Sequence, residues 1–196
     1  MAGEHLERVE VASLAEWRAW LAAHHGQRES IWLVHWKKGR GPHLAYDDVV
    51  DEALCWGWID SLPRKLDDDR SMLLLSPRKK GSAWSAVNKA KVERLMAAGR
   101  MQVAGLAKIA SAKADGSWDR LNAVDALKIP DDLAQALAGA GSAADNFAAF
   151  SPSSRRGILE WIQQAKRPET RARRVAETVR LAALGLRANF PEAKGQ

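Results

Sequence analysis

The chain has 196 residues, 46% of them hydrophobic and 28% charged, an ordinary globular composition with room for one large domain or two small ones. That balance excludes a disordered chain or a fibre, and the longest apolar runs, such as residues 72–75, are far too short to cross a bilayer. A formal net charge of +6 and a pI near 9.7 favour encounter with polyanions, acidic proteins or anionic metabolites.

Nine Trp stand beside three Phe and one Tyr. Each buried indole contributes about 1.5–3 kcal/mol of apolar burial, and its N–H usually needs an acceptor. Several indoles are therefore expected at the edge of the core or lining a cleft. The single cysteine, Cys55, rules out a disulfide within the chain and suits a reducing compartment. Residues 1–8 contain no apolar signal core, so the expected location is the cytoplasm.

In chain order, Ser13 followed by Glu16 is a capping box, after which Leu14, Trp17, Trp20 and Leu21 share one face of a helix ending near Gly26. Residues 30–37 alternate Ile31, Leu33 and His35 with Trp32, Val34 and Trp36, which predicts a strand covered on one face or both. A loop at 38–42 leads to a helix over 46–57. There Val49, Val50, Ala53 and Leu54 recur at helical spacing, with Asp47, Asp48, Asp51 and Glu52 complementing the helix start. Strands at 63–66 and 71–75 flank a turn at Asp67, Asp68 and Asp69.

Residues 76–81 form a basic loop, and Ser82 is placed to cap a helix running to Gly99. A second helix over 101–114 stops at Asp115 and Gly116, and 118–128 reads as a connector. From Ile129 the chain reads as helical. Pro130 takes a first helical position with Asp131 and Asp132 behind it, Ser151 and Pro152 repeat the start, and Pro168 with Glu169 opens a last helix ending near Gly185. The predicted fold is α+β: a small mixed sheet backed by helices (residues 1–122), followed by a helical C-terminal domain (129–190).

Two stretches carry candidate chemistry. The first gathers Trp56, Trp58 and Asp60, then the cationic loop with Arg78, then Trp84, Ser85 and Asn88 at a helix start. Cations, exposed N–H groups and the positive end of a helix dipole together make an anion site, and the indoles can wall it. The competing reading has the indoles in the core, Asp60 locked to Arg64 or Arg78, and Ser82 as a cap. The second stretch places Arg167, Arg171 and Arg174 on one face of the last helix, for phosphate or an acidic partner, against a plain solvated basic surface.

Catalytic and metal signals are weak. His24, His25, His35 and His43 show no metal-ligand spacing, and His35 reads as a strand residue with a satisfied hydrogen bond. Cys55 lacks a CxxC partner and reads as a small buried apolar residue. No cofactor-binding or nucleophile motif is present, so no catalytic residue, metal or cofactor is assigned.

Residues 53–60 (ALCWGWID), 76–80 (SPRKK) with 84–88 (WSAVN), 99–101 (GRM), 112–118 (AKADGSW) and 165–174 (AKRPETRARR), in this order, resemble the YdeI/OmpD-associated family, also called OmdA or bacteriocin-protection proteins. The likeness runs from about Ser13 to Gly185. The helical segment from Pro130 is similar to the family's defining region, and the part before it to an α+β partner domain. The resemblance implies a role in envelope stress, namely resistance to cationic antimicrobial peptides and association with an outer-membrane porin. It supplies no active-site residues.

The leading expectation is a non-catalytic stress-response or interaction protein whose Trp-lined cleft takes an anionic small molecule or an acidic protein partner. Nucleic-acid binding by the Arg167, Arg171 and Arg174 face is the second expectation. The third is an enzyme with Asp60 as general base.

Overall fold

The computed structural model describes residues 5–190. Residues 1–4, the start of the stretch read above for an export signal, lie outside the described residues. The chain divides into two compact units, one up to Arg120 and one from Leu121.

The first unit is built on a four-stranded sheet in the order β1-β2-β4-β3, from β1 (Arg8–Glu10), β2 (Ile31–Trp36), β3 (Trp58–Lys65) and β4 (Arg70–Pro77). β1 runs parallel to β2, and the other pairings are antiparallel, so the sheet is mixed as expected. β1 was not anticipated: its three residues hold one buried apolar side chain, Val9, too few for a period to show. β3 is longer than expected because Trp58–Asp60 and Pro63–Lys65 join across a register shift. Pro63 sits at this irregularity on the edge strand, where its missing N–H breaks no central ladder. Asp67 closes the hairpin by accepting the Asp69 and Arg70 N–H groups at 3.0 and 2.7 Å.

One face of the sheet carries Ile31, Leu33, Trp58, Leu73 and Leu75, all buried with helix side chains in the main core. The helices are α1 (Leu14–His24), α2 (Tyr46–Cys55), α3 (Ala86–Ala97) and α4 (Val103–Ala114). They contribute Trp17, Leu21, Val49, Val50, Leu54, Val92, Leu95 and Ile109. The opposite face holds a smaller cluster of Trp32, Val34 and Met72, with the Arg64 guanidinium 4.9 Å from the Trp32 ring. β2 is therefore covered on both sides.

The Ser13 capping box forms, with Glu16 Oε2 accepting the Ala12 N–H at 2.9 Å. α3 departs from expectation. It begins at Ala86 with Ser85 as cap, not at Ser82, and Trp84 lies before the helix instead of in its first turn. Trp84 is 1% exposed. Seating so large a ring in the core keeps residues 82–85 out of the helix until Ser85 can accept the Asn88 N–H. α4 meets the end of α2 at Gly105, where an added Cβ would lie 2.2 Å from the Cys55 carbonyl oxygen. Cys55 is fully buried, and burial pushes its thiol up to about 11.

The second unit holds α5 (Asn122–Asp125), α6 (Asp131–Ala138), α7 (Ala143–Ala149), α8 (Pro152–Gln163) and α9 (Pro168–Ala183). The expected connector thus contains one short helical turn. Ser151 caps α8 and Pro168 opens α9, whereas Pro130 serves as the cap of α6 and not its first residue. Leu133, Leu137, Phe147, Ile158, Leu159, Ile162 and Val175 are buried. Among the described residues no helix is long and apolar enough to cross a membrane.

Candidate functional site

Arg78 is the one arginine among the buried polar residues described, only 2% exposed. It leaves the end of β4 with its backbone N–H donated to the Gly57 carbonyl at 2.9 Å. Its guanidinium carbon lies 3.5 Å from the centre of the Trp84 ring, and Nη1 donates to the Ala83 carbonyl at 3.2 Å. Nε and Nη2 are buried and have no hydrogen-bond partner. Burial pulls this arginine's pKa down to about 10, partly countered by the field of Asp60. The group stays charged at neutral pH.

A pocket of about 270 Å³ opens beside this guanidinium. The loop after β4 supplies Lys79, Lys80, Gly81 and Ser82. One face of α4 supplies Ala107, Lys108 and Ser111, and Trp84 and Ser117 complete the wall. The left-handed Gly81 (φ +76°) lets the loop turn back, with the Ser82 N–H donated to the Lys79 carbonyl at 3.1 Å. Gly57 (φ +80°) gives the Lys108 stem its path, since a Cβ there would lie 2.6 Å from Lys108 Cγ. Ser117 is fully buried beside Asp115, whose carboxylate accepts its backbone N–H at 2.9 Å. No carboxylate lines the pocket.

Such a hollow can hold an anion. Its wall offers a buried guanidinium with two unpartnered N–H positions, three ammonium groups and three hydroxyls. The stacking on Trp84 offsets part of the arginine's desolvation, worth about 2 kcal/mol for a desolvated pair, but supplies no hydrogen bond.

Of the seven residues singled out in the sequence, Arg78 and Trp84 line this pocket, and Trp56, Trp58, Asp60, Ser85 and Asn88 do not. Trp58 is fully buried, edge-on to Trp20 at 5.6 Å. Trp56 is half-buried, 5.2 Å from the His25 ring. Both leave the indole N–H unpartnered. Asp60 accepts the Tyr46 hydroxyl at 2.5 Å, and no salt bridge among the described residues joins it to Arg64 or Arg78. Ser85 and Asn88 belong to the cap of α3. Lys108, Ser111 and Ser117 were missed, because their place at the pocket comes from the packing of a distant helix and the turn after it.

On α9, Arg167 is the cap residue and exposed. Arg171 forms a two-pronged pair with Asp132, at 2.7 and 2.9 Å. Arg174 lies over the Trp161 ring at 4.9 Å and donates to the Trp161 carbonyl. Two of the three expected phosphate ligands are thus engaged within the unit.

The acids of α2 do more than complement a dipole. Glu52, 2% exposed, accepts Arg18 through both oxygens and Arg100 through one, each at 3.0 Å. Asp51, 3% exposed, pairs with Lys91 at 3.1 Å and Arg94 at 2.5 Å. Burial pushes the Glu52 carboxyl up, but the two arginines outweigh it and hold it below its ordinary value. His35 lies on β2 as expected, and its Nδ1 is buried without a partner. Among the described residues no group of three or more His, Cys, Asp or Glu is arranged to hold a metal ion.

Comparison with curated proteins found no match, and neither did comparison with solved structures. Two family profiles do match. The one described as a domain of unknown function, DUF8412, covers residues 9–108, just over half of the chain. The one described as "Bacteriocin-protection, YdeI or OmpD-Associated", OmdA, covers residues 126–185, the helical region where the sequence resemblance had its centre. The chain therefore belongs to the family of the DUF8412 domain of unknown function, and its residues 126–185 are similar to the OmdA family.

Proposed function

We propose that this is a non-catalytic, anion-binding protein of the bacteriocin-protection group, whose ligand enters the pocket walled by Arg78, Trp84, Lys79, Lys80 and Lys108. The observation that carries the reading is the unfinished hydrogen bonding of Arg78, a buried cation with two nitrogens unpartnered beside an open hollow. Effective penalties for burying such an ion reach several kcal/mol. An entering oxyanion supplies both the missing acceptors and the counter-charge. The link to bacteriocin protection is supported at family level by the match over residues 126–185. A basic site repels cationic peptides, so protection of this kind works indirectly, through the bound anion or an acidic partner. The single buried cysteine suits action in the reducing cytoplasm.

Thermal unfolding in phosphate or sulfate, against chloride at matched ionic strength, tests the reading. Wild type is expected to gain about 2.7 kcal/mol at one hundred times the dissociation constant. Arg78→Met should lose that gain while remaining as stable as wild type in chloride, because an apolar side chain of similar volume removes an uncompensated charge. An equal gain in both proteins contradicts the proposal, as does a large loss of stability in the Met variant without any anion effect.

A further inference from the structure

The pocket is one lobe of a longer groove. A second hollow of about 580 Å³ shares Arg78, Lys79, Lys80, Ala107 and Lys108 with the first, and continues past Pro77 and Ala104 to His25, Gly26, Gln27 and Arg28. Ala104, Ala107, Lys108 and Ser111 recur at helical spacing, so one face of α4 floors both lobes.

Five permanent cations, Arg28, Arg78, Lys79, Lys80 and Lys108, line the joined groove, with His25 beside them and no carboxylate in either lining. The acid next in sequence, Glu29, accepts the Arg28 backbone N–H and lines a separate hollow. A single phosphoryl group carries roughly −1.5 to −2 at neutral pH, enough for fewer than half of these cations. Apart from Gln27 and Trp84 the rest of the lining is small: alanines, serines, glycines and one proline offer little grip on a carbon skeleton. Trp84, the one indole in it, is buried and has Arg78 stacked on it, so it presents no free platform for a base.

We infer that the ligand is a linear oligophosphate, an inorganic chain or the phosphate tail of a nucleotide, with one phosphoryl group seated at Arg78 and the chain running along Lys79, Lys80 and Lys108 towards Arg28. This rests on the reading of the Arg78 pocket as an anion site and adds to it the length and charge of the occupant. Lysine ammonium groups suit successive phosphates as point charges, while the Arg78 fork where the lobes meet and the Arg28 fork in the second lobe hold separate phosphoryl groups.

Calorimetric titration of the full chain with orthophosphate, pyrophosphate, tripolyphosphate and ATP tests it, in metal-free buffer of constant ionic strength. Tripolyphosphate should bind at least tenfold tighter than orthophosphate. Arg28→Ala should cut that ratio to under threefold and leave orthophosphate affinity unchanged, whereas Arg78→Met should abolish binding of both. ATP equal to tripolyphosphate assigns the affinity to the phosphate chain alone, and ATP tenfold tighter assigns the chain to a nucleotide. Equal affinity for orthophosphate and tripolyphosphate in wild type overturns the oligophosphate inference and leaves the anion pocket standing. Tighter binding of a single-stranded oligonucleotide than of tripolyphosphate, at equal phosphate concentration, also overturns it. Binding that ignores Arg78 removes the pocket itself.

Discussion

Two kinds of buried charge occur in the first unit, and they behave oppositely. Asp51 and Glu52 are buried but surrounded by Arg18, Lys91, Arg94 and Arg100, so their cost is offset within the protein. Arg78 is buried and left short. The first pattern is structural, and its test is stability in acid. Because Arg18 is 54% exposed and can turn to water, Glu52→Gln should cost about 1.5–3 kcal/mol, the range for hydrogen bonds to charged groups. Glu52 titrates below its ordinary 4.5 in the folded protein, so its contribution is complete above that pH and fades as pH falls through the lowered value. In urea unfolding the gap between wild type and Glu52→Gln should be full at pH 7 and close towards pH 3. A gap independent of pH contradicts the ion-pair account. Eight of the nine tryptophans lie in the first unit, so indole fluorescence reports on the relevant transition.

At the scale of elements, the local start signals were legible. Ser13, Ser151 and Pro168 begin helices where their cap chemistry says they should. The failures came where a long-range contact overruled a local one. Ser82 and Ser85 are both plausible caps, and the choice between them is made by Trp84, which must reach the core first. β1 exists because β2 offers it a ladder, and β3 passes through Ser61 and Leu62 because β4 holds both sides of the irregularity. The site divides the same way. Arg78 and Trp84 sit six residues apart and were legible together, whereas Lys108, Ser111 and the residues at 25–28 arrive through the packing of α4 and α1. That packing depends on Gly105, the point of contact between α4 and the end of α2. Gly105→Ala must push its new methyl against the Cys55 carbonyl, 2.2 Å away, and should lose about 1–3 kcal/mol. It should also weaken anion binding, because the floor of the groove moves with α4. Unchanged stability and affinity would show that α4 is not held in this way.

For the whole molecule, the net charge of +6 says little until the pairing is known. Arg18, Arg70, Arg94, Arg100, Arg156, Arg171 and Arg180 all have carboxylate partners, which removes them from the pool available to a polyanion. Arg171 is the clearest case: the helix face expected to read phosphates spends it on Asp132. Among the described residues no salt bridge joins Arg28, Arg78, Lys79, Lys80 or Lys108 to a carboxylate, and these groove cations are the reason the proposal places an anion in the first unit and not a nucleic acid on α9. All arginine side chains can be read at once from their Nε–H signals in a nitrogen–proton correlation spectrum of the full chain during titration with inorganic phosphate. One strong, saturable shift is expected, assigned to Arg78 by its absence from Arg78→Lys, with the carboxylate-paired arginines nearly still. Movement spread over the paired arginines, or an Arg78 signal that does not respond, would contradict it.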